Sequence, residues 1–152
     1  MLQIHSRFYV SKTNVPWDID YFERFDGHSP TNDPCLGLFQ RECGKFDMPV
    51  VGLNIVSILR ENVHPLQKRY IMESGFREDC VICPTLDSIV SGNVPMVFRV
   101  NHSEFKATHT LCWVPDQCDY PHSHYVLRAR WEIKARTEVT YDYKFGKVVY
   151  KF

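Results

Sequence analysis

Apolar residues along this chain fall in many short runs. "LQIHSRFYV", "GLFQREC", "PVVGLNIVSIL", "DCVICPTL", "VPMVFRV", "THTLCWV", "HYVLRARWEI" and "TEVTYDYKF" are rich in Val, Ile, Thr and aromatics. Turn residues separate most of them, which predicts a series of short strands. One stretch differs: "VSILRENVHPLQKRYIMESGF", residues 56–76, has helix-forming composition interrupted at Pro65. A helix is expected there, broken where proline removes a backbone donor. The expected class is mostly β, α+β by count, with short helices. "GHSPTNDPC", residues 27–35, is the richest turn cluster. It sets residues 1–34 apart as an N-terminal elaboration on a single domain spanning 35–152.

Composition narrows the function classes. At 152 residues the chain can bury roughly two-thirds of its unfolded surface, so one domain needs no staples. Eighteen basic residues balance eighteen acidic ones, which argues against nucleic-acid binding and bulk attraction to anionic membranes. No window approaches the roughly 18 apolar residues of a membrane span, and "MLQIHSRFYV" does not read as a secretion signal. An intracellular protein is therefore expected, its six cysteines (35, 43, 80, 83, 112 and 118) held as thiols.

Two constellations carry potential chemistry. Cys80 and Cys83 form C-x-x-C, and His109, Cys112, Cys118, His122 and His124 follow, so a zinc site can be drawn. Buried thiols in "DCVICPTL" and solvated histidines in the turn-rich "PDQCDYPHSH" account for the same residues, and no metal is expected. The second is "EVTYDYKFG", where Tyr141 and Tyr143 flank Asp142. In a strand their side chains share one face, so two phenols can converge on one site. Asn101-His102-Ser103 follows closely on the apolar Met96-Val97-Phe98, a strand end in itself.

The order of these landmarks is informative. "LGLFQREC", "LDSIVSGN" (within it Asp87 to Asn93), "NHS" and "TEVTYDYKF" resemble, in sequence order, the landmarks of the SET-domain protein lysine methyltransferases, over roughly residues 35–145. The resemblance implies a fold of several small curved sheets with a knot-like threading of the C-terminal strand. That threading would bring Asn101-His102-Ser103 beside Tyr141-Asp142-Tyr143. It implies S-adenosylmethionine as cofactor, held by Asn101 and the His102 backbone, with Leu36-Gly37-Leu38 passing its methionine end. Only glycine lets backbone approach a ligand so closely. Tyr143 matches the family's catalytic tyrosine. Tyr141 stands where the family has Phe or Tyr, and its hydroxyl implies a bias toward low methylation states. The implied substrate is a lysine in an extended peptide, such as a histone tail, and the implied compartment is the nucleus, with the cytoplasm as the other possibility.

The chain departs from the family pattern at several places. Lys106 and Ala107 stand near the usual Pro-Asn pair after "NHS", Cys35 replaces the first glycine of Gly-x-Gly, and "VPMVFRV" is about two residues longer than usual. "PVVGLN" lacks the acidic and aromatic residues of the corresponding strand, so Tyr70 or Phe76 would complete the lysine channel. Cysteine clusters before and after the domain are missing. Closure of the channel is then expected from "GKVVYKF", from a second subunit in a homodimer, or from a partner. The alternative reading is a SET-fold module without catalysis that binds peptide or protein partners.

Overall fold

In the computed structural model, residues 7–15, 36–73, 79–103, 105–113 and 125–143 are described. They form two sheets. The larger has seven strands: β1 (Phe8–Lys12), β2 (Leu36–Gln40), β3 (Met48–Pro49), β7 (Asn101–His102), β8 (His109–Trp113), β9 (Tyr125–Ala129) and β10 (Glu138–Tyr141). The smaller has β6 (Cys80–Pro84) between β4 (Ile55–Leu59) and β5 (Met72–Glu73). The class is mostly β, with mixed sheets and, among the described residues, one short helix, α1 (Leu86–Val90). Among the described residues no helix is long and apolar enough to cross a membrane.

Side-chain patterning explains the layers. β9 alternates buried and half-buried positions along "YVLRA", as a strand with one covered face should. Its register with β8 pairs His109 with Ala129 and Trp113 with Tyr125. β6 is buried at all five positions because it is the middle strand of its sheet. In the larger sheet β10 is the pivot. It runs antiparallel to β2 and parallel to β7 and β8, so the C-terminal strand lies between segments distant in sequence.

Segment 56–76 is not the interrupted helix its composition suggests. β4 takes its start, β5 lies near its end, and between them are only 3₁₀ turns at Arg60–Asn62 and Lys68–Tyr70. Five residue pairs between β4 and β6 outweigh a helical preference already weakened by Pro65 and the β-branched Val56 and Ile58. "VPMVFRV" is likewise no strand but a 3₁₀ turn over Met96–Arg99. Pro95 precedes it, its fixed φ suited to entry into a helical turn. In "TLDSIVSGN" the Thr85 hydroxyl accepts from the Ser88 amide at 3.2 Å, and Gly92 follows the helix at φ 78°. This is the polar N-cap and left-handed glycine of a short, well-stopped helix.

One core joins the elements. Phe8, Leu38, Met48, Val50, Tyr70, Met72, Ile82, Phe98, Leu111, Leu127, Tyr141 and Tyr143 belong to a single buried cluster. The candidate tyrosines are thus part of the buried core.

Candidate functional site

The site grows from β10. Every residue from Glu138 to Tyr143 is buried, yet they alternate in character. Val139, Tyr141 and Tyr143 belong to the apolar cluster, whereas Glu138 and Thr140 bond to polar partners on other segments. A strand buried on both faces can hold polar side chains only where each finds a partner.

On the apolar side the rings of Tyr141 and Tyr143 are 4.7 Å apart between centroids and inclined by 50°. The Tyr143 phenol donates to the Val100 carbonyl at 2.6 Å. Its backbone amide donates to His102 Nδ1 at 3.1 Å, so that nitrogen carries no proton in this arrangement. The His102 ring lies 5.1 Å from that of Tyr143, and Asp142 Oδ1 is 3.8 Å from His102 Nδ1. Burial pushes the Tyr141 phenol far above its ordinary pKa, and the nearby Glu73 and Asp142 charges push it further. Tyr141 is therefore a permanently neutral donor.

On the polar side β7 pairs Asn101 with Thr140 and His102 with Tyr141. β10 pairs with β2 only at Leu38 and Phe39, then joins β7, and Asn101 lies at the fork. Its amide donates to the Leu36 carbonyl at 2.9 Å, to Glu138 Oε2 at 3.1 Å and to Thr13 Oγ1 at 3.1 Å. Gly37 is required there: a Cβ would collide with the Glu138 carboxylate and lie 3.1 Å from Asn101 Nδ2.

The residues singled out from sequence are therefore placed as follows. Leu36, Gly37, Asn101, His102, Tyr141 and Tyr143 surround the junction of β2, β7 and β10. Leu38 is fully buried in the core, and its neighbours Val10 and Val139 flank it on both sides. Tyr70 is 2% exposed, in the same cluster as the two tyrosines, and packs edge-on against Phe98 at 6.4 Å. Phe76 lies outside the described residues. Sequence reasoning missed four participants: Glu138, Thr13, the Val100 carbonyl and Glu73. Glu73 is held by Arg60 through two bonds of 3.0 and 2.5 Å. Only Glu138 left a signal, as the charge that precedes Val139 in "TEVTYDYKF".

The C-x-x-C pair is placed on β6, where residues three apart face opposite sides. Burial raises the Cys83 thiol to about 12 and is the main cause raising Cys112 to about 11. His109 is occupied by the Phe46 carbonyl at 2.9 Å and Thr108 Oγ1 at 2.8 Å. Among the described residues no three His, Cys, Asp or Glu side chains gather where they could hold a metal ion. Cys118, His122 and His124 lie outside them.

No family model matches the chain, and no curated protein does. Among solved structures it is similar to the crystal structure of a Plasmodium falciparum protein provisionally named a histone methyltransferase. Identity is 15% and the TM-score 0.52, over 90% of this chain and 92% of that one. At that identity the likeness is one of fold.

Proposed function

We propose that the protein is a SET-type methyltransferase that uses S-adenosylmethionine to methylate a lysine in an extended peptide, a histone tail being one such substrate. The observation that carries the reading is the junction itself. Two tyrosine rings in contact stand at the end of β10 and just beyond it, and the phenol of Tyr143 is fastened to the carbonyl immediately before Asn101. The fold shared with the Plasmodium protein is consistent with it.

The residues present suit the cofactor's methionine end. Asn101 spends its amide hydrogens on Leu36, Glu138 and Thr13, which leaves its Oδ1 as an acceptor for an ammonium group. Asn101 and the His102 backbone would hold the cofactor, with Leu36 and Gly37 alongside. When bound, S-adenosylmethionine supplies an electrophilic methyl group on a cationic sulfur.

The remaining work falls to the chain. A lysine ammonium with an ordinary pKa of about 10.4 costs roughly 4 to 5 kcal/mol to deprotonate near pH 7. An apolar wall built on Tyr70, Tyr141 and Tyr143 disfavours the charged form and excludes water. Tyr143, its hydroxyl fixed by Val100, holds its ring and oxygen in one geometry at the reacting centre. Tyr141, kept neutral by burial, offers a hydroxyl to the amine or to a water beside it.

Calorimetric titration with S-adenosylmethionine tests the proposal. Saturable one-to-one binding supports it, and no heat at any accessible concentration refutes it.

A further inference from the structure

Glu138 is buried, with 9% of its surface exposed, and no cation meets its carboxylate among the described residues. Among the described residues no Lys, Arg or His makes an ion pair with it; the guanidinium of Arg60, for one, is held by Glu73. Its partners are all neutral. Oε2 accepts from Thr13 Oγ1 at 2.6 Å and from Asn101 Nδ2 at 3.1 Å, and Oε1 accepts from the Asn14 amide at 2.7 Å. A buried charge ordinarily pairs with an opposite one, so this carboxylate leaves a demand for a cation beside Asn101.

The same carboxylate decides which way Asn101 points. An amide's oxygen and nitrogen are assigned from the bonds around them. Here the Leu36 carbonyl and the Glu138 carboxylate can only accept, so the NH₂ group faces both and Oδ1 is turned away from them. Thr13 locks the arrangement. Its hydroxyl donates to Glu138 and accepts from Asn101 and, at 3.0 Å, from the Val15 amide. Gly37 leaves the room in which the carboxylate rests.

We propose that Glu138 is the positioning residue of the cofactor site and the counter-charge for the cationic ammonium group at the cofactor's amino-acid end. The proposal rests on the reading of the protein as an S-adenosylmethionine-dependent enzyme. Glu138 aims Asn101 Oδ1 and supplies a negative potential, and the strap at Thr13 and Asn14 holds Glu138 in place.

Three probes separate this role from simple structural support: S-adenosylmethionine, S-adenosylhomocysteine and methylthioadenosine. The second keeps the ammonium group but has a neutral sulfur, and the third has no amino-acid end. Calorimetry on Glu138→Gln should show the first two bound about tenfold or more weakly, a loss of about 1.4 kcal/mol. Methylthioadenosine should be unchanged within about twofold. Equal weakening of all three, or weakening of none, overturns the proposal while leaving the enzyme reading intact. Failure of the unaltered chain to bind any of them overturns both. If Glu138→Gln does not fold, the Thr13 variants decide. Thr13→Val should reproduce the selective loss and Thr13→Ser, which keeps the hydroxyl, should restore binding; identical behaviour of the two overturns the proposal.

Discussion

The phenol of Tyr143 donates a 2.6 Å hydrogen bond to the carbonyl of Val100, across 43 positions of sequence. This bond fastens the end of β10 to the residue that leads into Asn101. It couples the tyrosine proposed to act on substrate with the asparagine proposed to hold the cofactor. Both groups are buried, so neither can exchange its partner for water without cost.

Removing the bond should damage turnover more than folding. Tyr143→Phe is expected to lower turnover by about 10- to 100-fold, the loss of roughly 1.4 to 2.7 kcal/mol of transition-state stabilisation. Stability should fall by only about 1 kcal/mol. Steady-state rates and a denaturant melt read the two separately, and wild-type rates in the variant would exclude a catalytic role.

Tyr141 should govern how far methylation proceeds. Its hydroxyl occupies space beside the amine, so Tyr141→Phe should retain activity and shift product from monomethyl toward di- and trimethyl-lysine. A product distribution identical to wild type would remove Tyr141 from the channel. Because burial holds this phenol neutral, the rate against pH should show no ionisation attributable to it up to about pH 10.

Asn101→Ala should abolish S-adenosylmethionine binding while the chain still folds. The Leu36 carbonyl and Glu138 each lose a donor, a cost of about 1 to 3 kcal/mol. Unchanged affinity in the variant would sink the site assignment.

A pH signature should come from His109. Burial lowers its pKa from the ordinary 6.5, against smaller opposing effects of the Phe46 carbonyl and Asp47. Protonation is thus harder in the folded state than in the unfolded one. The sign follows: the contribution to stability is intact above about pH 6.5 and is lost as pH falls from there through the folded pKa. Thermal melts from about pH 7.5 to about pH 5 should show this decline, and His109→Gln should flatten it. An unchanged slope would place its origin elsewhere.

Some of this was legible in the sequence because its physics is local. Alternation at period two put Tyr141 and Tyr143 on one face, and β-branched runs marked most of the strands. Segment 56–76 misled because helix-forming composition says nothing of the pairing of Val56 and Ile58 with β6, settled by residues some twenty-five positions away. Glu138 escaped notice since a charge in a strand ordinarily faces water. Its burial depends on Thr13, 125 positions distant, and no local pattern carries that information. "VPMVFRV" has the composition of a strand, but Pro95 and the packing of Val97 and Phe98 into the core turn it into a helical turn.

The central claim is methyl transfer to lysine. It is tested most directly by incubating the protein with S-adenosylmethionine and a mixture of histones and lysine peptides, then weighing the products by mass spectrometry. The account predicts additions of about 14 Da on lysine, predominantly single, that disappear with Tyr143→Phe. Cofactor binding without methylation of any lysine would contradict it and leave a peptide-binding module of the same fold.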